Sequence, residues 1–571
     1  MEVKLKQGRT VLGFRRNPFR AAAAGLFLGL GCSVAAGASA AVTAPAGDRL
    51  VRPAAEQETI RFALTLPQRN QAELQTLLQR LYTPGDAQFH RFLGSAQFDS
   101  RFAPGRDQYE TLKSLARQYG LSVVGEHGSR TVLDVEAPAS TLRKVFGTQL
   151  QIMRTADGKQ YHAADTEPAL PFPLSAIGAD VVALNDRPAH THLRVQREHI
   201  SQAEMRAAAQ PHAGSQQSGS YAPADIQTAY NLAGIQNGGT PVAVFELSSA
   251  NYGDAATYAG NFGLNSPNLV QKTVDGGTTN TTGSTEVMLD IEMIQAVSNP
   301  TTLYVYTGPN SGSGVLDTYT QIADDNLVSQ VSTSWGECES SEGQSAANAE
   351  NTVFTKMVAE GISLFAAAGD SGAYDCGGSG SVAVDDPASQ PEVVGVGGTS
   401  LSTDSSQNYV SEAVWDTSST EGGGGGISTF WSIPSYQQGV SFGGASGQYS
   451  STMRNVPDVA LDADPATGFY VYDSASAGGW TVVGGTSDAA PQYAAFWSLV
   501  SAGLGKAAGF ANPTLYPIAE NAGKYASDFH DVTSGTNNYY QAVPGYDDAT
   551  GWGSYNGGKL YADVLSALGG G

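Results

Sequence analysis

From Tyr221 onward, short apolar runs alternate with segments of helical periodicity, and this alternation restricts the fold more than any other feature of the sequence. The apolar runs predict buried strands and the periodic segments predict helices. The predicted strands are residues 242–247, 303–306, 327–334, 362–368 and 393–396. The predicted helices are residues 286–297, 316–323 and 346–359. Such alternation favours an α/β fold, with a parallel sheet flanked by helices on both faces.

A separate α+β domain is predicted ahead of this sheet, from Leu50 to about Leu193. Residues 61–66 and 132–135 have the pattern of strands, and residues 71–81 have helical apolar spacing. Ala, Gln, Gly and Ser then dominate from Val195 to Ser220. This composition predicts a linker and a zone of proteolytic cleavage.

The N-terminus has the pattern of an export signal. Basic residues precede the apolar run 21–36, and Ala38-Ser39-Ala40 offers a small-residue cleavage site. Cys32 could mark a lipoprotein, but Gly29 does not fit the residue expected three positions earlier. The mature protein is therefore expected to be secreted and extracellular, with a periplasmic stage in transit, and without a membrane anchor.

Charge is divided unevenly along the chain. Residues 1–215 carry 25 Lys+Arg and 19 Asp+Glu, whereas residues 216–571 carry 6 and 35, and seven of the eight histidines lie in the first part. So few basic residues argue against nucleic-acid binding by the second part. An acidic medium would relieve the repulsion among its carboxylates. A fall in pH is also expected to weaken the attraction between the two parts.

Two cysteines, Cys338 and Cys376, remain once the signal is removed. In an oxidising compartment such a pair predicts a disulfide, which typically stabilises a fold by about 2–4 kcal/mol. Two buried free thiols are the alternative.

The segment Gly484–Pro491 lies between a predicted strand, 480–483, and a predicted helix, 492–500. A serine on such a turn, here Ser487, can present its hydroxyl beside the free N–H groups of the helix. The alternative is an ordinary turn with Ser487 as N-cap. A second Gly-Gly-Thr-Ser ends at Ser400, but it continues as a strand or loop. Ser487 is therefore the candidate nucleophile.

A serine nucleophile needs a base. Glu286 and Asp290 share one face of a predicted helix that is apolar nearly all round, which indicates two buried carboxyls without a nearby cation. A solvated acidic stripe is the alternative. His530 is the one histidine of the second part, so a Ser-His-Asp hydrolase would have to use it.

Four spaced motifs resemble the sedolisin (serine-carboxyl peptidase) family: Pro67–Asn70 with Phe89–Leu93, Gly369–Gly372, Gly485–Pro491, and Phe529–Val532 with Gly545–Gly553. The resemblance implies a subtilisin-like α/β catalytic domain preceded by a ferredoxin-like α+β prodomain. It implies four domains or segments: signal peptide 1–40, inhibitory prodomain 41–194, processed linker 195–218 and peptidase domain 219–571.

The resemblance also implies roles for the catalytic residues. Glu286 would be the general base for Ser487, with Asp290 orienting Glu286, and a protonated Asp370 would donate to the oxyanion. Without the resemblance, Asp370 would be an ordinary Asx-turn residue. Because a glutamate ionises at lower pH than histidine, activity is expected to peak in acid. Trp335 and Glu246 match positions that extend the catalytic hydrogen-bond network in some relatives.

Two binding sites follow from the same resemblance. Gly423, Gly424, Gly425 and Ser428 match the substrate cleft, although a mobile glycine loop is equally consistent with the composition. One Ca²⁺ ion is implied, with its ligands Asp531, Val532, Val543, Gly545 and Asp547. The oxygen-rich set suits calcium. Without the resemblance, the aspartates would be turn formers.

The expected partners are peptide substrates and the chain's own prodomain, and the expected state is a monomer. One alternative is the Ser-His-Asp hydrolase that uses His530. The other is a secreted calcium-dependent binding protein on an inactive peptidase scaffold. The preferred peptide residues do not follow from the sequence.

Overall fold

The computed structural model describes residues 45, 47–208, 220–235, 238–377 and 381–569. The predicted signal segment 1–40 and residues 209–218 of the predicted linker lie outside the described residues. Among the described residues, no helix combines the length and the apolar character needed to cross a membrane.

The first domain and the segment that follows it contain these elements: strands β1 (Arg49–Pro53), β2 (Thr59–Thr65), β3 (Ser122–Glu126), β4 (Val132–Pro138), β5 (Leu150–Arg154), β6 (Gln160–Ala164), β7 (Asp180–Val182), β8 (His190–Thr191) and β9 (Arg194–Arg197), and helices α1 (Gln71–Leu81), α2 (Ser95–Arg101), α3 (Arg106–Gln118), α4 (Ala139–Phe146), α5 (Phe172–Ser175) and α6 (Gln202–Ala208).

The second domain has the strands β10 (Val242–Glu246), β11 (Leu269–Thr273), β12 (Leu303–Thr307), β13 (Gln330–Thr333), β14 (Trp335–Cys338), β15 (Ser363–Ala367), β16 (Asp385–Asp386), β17 (Val393–Thr403), β18 (Tyr409–Val414), β19 (Asp416–Ser418), β20 (Glu421–Gly422), β21 (Gly426–Ser432), β22 (Met453–Val456), β23 (Val459–Asp462), β24 (Phe469–Asp473), β25 (Gly479–Gly484), β26 (Phe529–His530) and β27 (Ser554–Tyr555). Its helices are α7 (Pro223–Ala229), α8 (Asp254–Phe262), α9 (Ser284–Val297), α10 (Gly314–Asp325), α11 (Glu339–Glu342), α12 (Gln344–Ala359), α13 (Thr486–Leu504), α14 (Asn512–Ala519), α15 (Ala522–Asp528) and α16 (Gly557–Ala567).

The first domain has a four-stranded antiparallel sheet in the order β3-β4-β2-β7. Helices connect β2 to β3 and β4 to β7, which gives the βαββαβ order of a ferredoxin-like fold. Side chains alternate along β2: Phe62 and Leu64 enter the core of this domain, whereas Ala63 packs into a core of the second domain. One face of the sheet therefore docks on the second domain.

The second domain is built on the central sheet β11-β12-β10-β13-β15-β17-β18, with β23 paired to β17. Neighbours from β11 to β17 are parallel, and β18 is antiparallel. Val242 and Val244 face one core, whereas Ala243 and Phe245 face another. Helices α9 and α13 pack on the first side and α10 and α12 on the second, so the predicted parallel sheet between two helical layers is confirmed.

Most element bounds differ from prediction by one to three residues, but two differences matter for function. Helix α13 begins at Thr486 rather than near residue 492, so Ser487 lies inside its first turn. Arg194–Arg197 forms a strand on β25, although its polar composition predicts a linker from residue 195. Arg194–Arg197 is a strand because its backbone pairs with the distant strand β25, and amino-acid composition does not predict such pairing.

Cys338 and Cys376 form a disulfide, with Cα atoms 4.9 Å apart and a sequence separation of 38. Cys338 ends β14, and Cys376 lies in the loop that follows β15. The bond therefore ties that loop to β14.

We expect the double variant Cys338→Ser, Cys376→Ser to lose about 3 kcal/mol of unfolding free energy, since a closed loop of this size restricts the unfolded chain. Urea denaturation of a Ser487→Ala protein, which cannot digest itself, measures the loss. Dithiothreitol should shift the same protein equally and leave the double variant unchanged. An unaltered midpoint in the double variant would contradict the role of the bond.

Candidate active site

Ser487 is buried in the first turn of α13, directly after β25. Gly485, two residues before Ser487, has a φ of +115°, a conformation that residues with a side chain rarely adopt. The N–H of Gly485 donates to Ala463 O at 2.6 Å, which fixes the turn. At a helix N-terminus the N–H of Ser487 has no partner within the helix, so it is free to bind an external oxygen.

Glu286 and Asp290 lie one turn apart on α9, in which every side chain is buried. Glu246, at the end of β10, has its carboxyl against that of Asp290. Trp335 Nε1 donates to Glu246 Oε2 at 2.9 Å, and Ser334 Oγ donates to Asp290 Oδ1 at 2.7 Å. We call Glu246, Glu286 and Asp290 the carboxyl cluster.

The carboxyl cluster holds protons firmly. Burial raises the pKa of Glu286 well above its usual range, the charge of Asp290 raises it further, and the nearby Ser487 hydroxyl opposes the rise. Burial also raises the pKa of Asp290 to about 8 and that of Glu246 well above its usual range. Since neighbouring buried carboxyls cannot all ionise, the cluster shares protons and carries less than its full charge.

Asp370 follows β15 and is buried opposite the first turn of α13. Its Oδ1 accepts hydrogen bonds from Thr486 N at 2.8 Å and Thr486 Oγ1 at 3.0 Å, and its Oδ2 has no hydrogen-bond partner among the described residues. Burial raises the pKa of Asp370 to about 6, against the charges of Arg194 and His192. Below that pH the carboxyl is neutral and can donate a hydrogen bond.

Residues His190–Arg197, which we call the cleft segment, run as an extended chain past Ser487. Its strand β8 pairs with β14, and its strand β9 pairs with β25, both antiparallel. Between these strands, His192 N donates to Ser334 O at 3.2 Å, and Ser487 N donates to His192 O at 3.1 Å. The cleft segment thus occupies the site as an extended peptide would.

The carbonyl oxygen of His192 also lies beside Asp370. A Cβ atom placed on Gly485 would lie 2.0 Å from His192 O and 2.7 Å from Asp370 Oδ2. Both oxygens therefore converge on the space that the missing side chain leaves. One carbonyl group meets the N–H of Ser487 and a carboxyl that can carry a proton, which is the donor arrangement of an oxyanion hole.

The glycine run lies next to Asp370. Gly424 N donates to Gly369 O at 2.7 Å, and a Cβ on Gly424 would lie 1.9 Å from Ala368 O, so its glycine allows this close approach. Gly423 and Gly425 also pack against backbone. Ser428 is buried and its hydroxyl donates to Glu339. These contacts hold the Asp370 loop, and contact of the four residues with a substrate stays a prediction.

His530 lies away from these groups. Its ring stacks on Tyr409 with centroids 3.6 Å apart, and burial lowers its pKa to about 4. Among the described residues, Ser487 Oγ and both carboxyl oxygens of Glu286 have no hydrogen-bond partner, but the Ser487 hydroxyl is near enough to lower the pKa of Glu286. The geometry gives no support to a Ser-His-Asp arrangement.

The predicted calcium ligands come together at one loop. Gly545 N donates to Asp531 at 3.2 Å, and Val543 N donates to Asp547 Oδ2 at 2.9 Å. Val532 is buried beside them, in a cluster with Tyr540 and Ala549. Burial raises the pKa of Asp547 to about 7. Two carboxylates bound to one loop fit the oxygen donors that Ca²⁺ prefers.

Several contacts at the site are absent from the sequence analysis. Ser334 donates a hydrogen bond to Asp290, and its only signal in the sequence is that it precedes Trp335. Thr486 donates to Asp370, and its only signal is that it precedes Ser487. Arg194 Nη2 donates to Asp370 O at 3.2 Å, although Arg194 falls at the predicted end of the prodomain.

Comparison with known proteins now supplies the family. The sequence family described as "Pro-kumamolisin, activation domain" matches residues 46–185. Kumamolisin from Bacillus sp. (strain MN-32) is 33% identical over 477 residues, which cover 80% of this chain and 83% of that protein. Sedolisin from Pseudomonas sp. (strain 101) is 30% identical over 539 residues, which cover 89% of this chain and 88% of that protein.

The chain belongs to the sedolisin family. A solved structure of Pseudomonas sedolisin, a serine-carboxyl proteinase complexed with two molecules of pseudo-iodotyrostatin, superposes with a TM-score of 0.55 at 29% identity. It covers 60% of this chain and 97% of that chain. This sedolisin-family protein is therefore a serine-carboxyl peptidase, made as a zymogen with an N-terminal activation domain.

Proposed function

We propose that this sedolisin-family zymogen is a secreted endopeptidase that works in acid. Ser487 is the nucleophile, Glu286 the general base, Asp290 the residue that orients Glu286, and Asp370 a protonated oxyanion donor. The observation that carries the proposal is the hydrogen bond from Ser487 N to the carbonyl of His192, at 3.1 Å and beside Asp370.

Chemistry begins when Ser487 Oγ attacks the carbonyl carbon of a peptide and its proton passes to Glu286. The carbonyl oxygen becomes negative and accepts hydrogen bonds from Ser487 N–H and from the Asp370 carboxyl. As the intermediate collapses, Glu286 returns the proton to the leaving amine, and an ester to Ser487 remains. Water then attacks this ester, with Glu286 again accepting the proton.

The carboxyl cluster can supply this base. Asp290 contacts Glu246 and Ser334, so its side chain is fixed beside Glu286. Two protons shared among the three carboxyls leave one charge that can accept the proton of Ser487, and the restriction to acid comes from Asp370, which must keep its proton in order to donate.

The uncut chain presents its own first substrate. Because His192 O lies in the oxyanion position, the bond between His192 and Leu193 is the one that Ser487 attacks. We propose a prodomain of residues 41–194, a processed linker of 195–218 and a peptidase domain of 219–571, with this first cut two residues before the linker. Trimming of the linker follows.

We also propose that Asp531 and Asp547, with the carbonyls of Val532, Val543 and Gly545, hold one Ca²⁺ ion. The ion would neutralise both carboxylates and fix the loop 543–547. The hydrogen bonds that already join both aspartates to this loop support the assignment.

The first experiment measures hydrolysis of a denatured protein from about pH 3 to about pH 8 after incubation in acid. Wild type should be active in acid alone and should yield a mature chain whose first detectable N-terminus is Leu193. Ser487→Ala and Glu286→Gln should each lose activity by at least about 1000-fold, because either change removes the unit that transfers the proton.

His530→Gln is the matched control, and it should keep the activity. Activity centred near neutral pH that survives Glu286→Gln but not His530→Gln would overturn the assignment. A folded wild-type chain that is silent at every pH would favour the binding-protein alternative.

Asp370→Asn should extend activity to higher pH. An acid is neutral below its pKa, so Asp370 donates below about pH 6 and stops donating above it, whereas an amide donates throughout. The alkaline limb of kcat against pH, measured with a peptide substrate after maturation, should therefore move up or vanish. Asp370→Ala should lose about 100- to 1000-fold in kcat at every pH. An alkaline limb that is identical in Asp370→Asn and wild type would contradict the role.

Removal of calcium should destabilise the protein. A chelator should lower the thermal midpoint of the Ser487→Ala chain, and Ca²⁺ but not Mg²⁺ should restore it, since binding at 100 times Kd adds about 2.7 kcal/mol. Asp531→Asn and Asp547→Asn should abolish this response, and the exposed-loop control Asp404→Asn should keep it. A response that both site variants retain would place the ion elsewhere.

A further inference from the structure

A second group of metal-binding side chains lies beside the cleft, outside the carboxyl cluster. His190 and His192 of the cleft segment and Asp385 of β16 each bring one ligand atom within 4.8 Å of the others. In an extended chain, residues two apart point to the same side, so both imidazoles meet the same surface of the peptidase domain. Their ring centroids are 4.9 Å apart.

One pair of these atoms, which forms a hydrogen bond, also has the spacing of two ligands on a small tetrahedral ion. His192 Nε2 and Asp385 Oδ1 are 3.1 Å apart. Two ligands on a tetrahedral Zn²⁺ ion lie about 3.3 Å apart, because Zn–N and Zn–O bonds are about 2.0–2.1 Å long. Asp385 is fully buried, and its Oδ2 has no hydrogen-bond partner among the described residues. The second oxygen is therefore available to a ligand.

The surroundings also favour a cation. The carboxyl of Asp375 lies against that of Asp385, and Glu337 is the strand partner of Asp386. Arg187 bonds Glu337 and Asp48, and Arg194 approaches Asp370, so among the described residues no arginine or lysine pairs with Asp375 or Asp385. Carboxyls therefore outnumber cations around Asp385, and buried carboxylates are costly unless they are paired or coordinate a metal.

Gly336 of β14 leaves the space in which these ligands meet. A Cβ atom on Gly336 would lie 1.9 Å from Asp385 Oδ1 and 2.8 Å from His192 Nε2. Gly336 pairs with His190 in the sheet, so β14 both binds the cleft segment and lies against the three metal-binding side chains.

We propose that His190, His192 and Asp385 bind one Zn²⁺ ion in the uncut chain. Two imidazoles and a carboxylate are a donor set that zinc accepts, and Asp375 or a water completes four ligands. Two ligands belong to the cleft segment and the third to the peptidase domain. The ion therefore links the N-terminal part of the chain, which is removed on activation, to the peptidase domain.

A consequence for activation rests on the proposed self-cleavage, whereas the metal binding does not. After a cut between His192 and Leu193, both imidazoles stay with the N-terminal fragment. An ion that still bridges them to Asp385 keeps this fragment in the cleft as bound product. Zinc should thus delay the appearance of activity, because a ligand that binds the associated state stabilises it by mass action.

Calorimetry tests the site in the full-length Ser487→Ala chain, which stays uncut. ZnCl₂ is titrated into metal-free protein with Ca²⁺ present, and one Zn²⁺ per chain is expected. Changes outside a metal's direct ligands already cost about 10- to 100-fold in affinity, so His190→Gln and His192→Gln should each cost at least tenfold. His199→Gln is the matched control, since that histidine lies two residues beyond the cleft segment with a side chain 75% exposed.

Co²⁺ in place of Zn²⁺ gives a second readout, the visible absorption of a tetrahedral ion, which should vanish in both site variants. Circular dichroism establishes that each variant is folded, and two variants guard against the failure of one. Zinc affinity unchanged in a folded His190→Gln or His192→Gln chain would overturn the site.

The activation arm uses wild type in mild acid with ZnCl₂ or with a chelator. The lag before activity should lengthen several-fold with zinc, and His190→Gln should remove the difference. Zinc binding without a longer lag would contradict the role of the ion in delaying activation, but it would still support the metal site. A chain that binds zinc but never becomes active would contradict the proposed peptidase function, not the metal site.

Discussion

The carboxyl groups buried at the carboxyl ends of the central strands are the constraint on which the rest of this structure depends. Glu246, Glu286 and Asp290 lie together where water is excluded, and their pKa values rise because burial opposes charge. Such groups cannot all ionise, so they share protons. A hydrolase can draw its base from the member of this set that stays ionised, and α9, which is buried on every side, carries two of these carboxyls into the core.

The same strands that would receive a substrate hold the chain's own cleft segment. β14 and β25 pair with β8 and β9 through backbone hydrogen bonds, which do not depend on the side chains of the peptide. The activation domain brings the segment there by docking one face of its sheet on the second domain, where Ala63 shares a core with α10 and α12. Under the proposed function, the cleft segment and a substrate would thus use the same backbone pairing.

Much of this arrangement could be predicted from the sequence, because local patterns carry it. The alternation of apolar and helical segments predicts the parallel sheet, and the composition around Glu286 and Asp290 predicts a buried helix. Ser334 binds Asp290 across 44 residues and Thr486 binds Asp370 across 116, and no local pattern reports contacts over such separations. The segment Arg194–Arg197 has the polar composition of a linker, and pairing with β25 makes it a strand. The glycines 423–425 suggest close approach by a ligand backbone, and the structure adds that a Cβ at any of the three would meet backbone of the chain itself.

Gly485 connects the folding of the site with its openness to peptides. Its φ of +115° turns the chain from β25 into α13, and the hydrogen atom in place of a side chain leaves the volume that His192 O occupies. A single methyl group there would lie where every bound carbonyl must enter. An alanine at this position would therefore block the cleft segment and substrates sterically. The opening beside Ser487 thus depends on the absence of one carbon atom at Gly485.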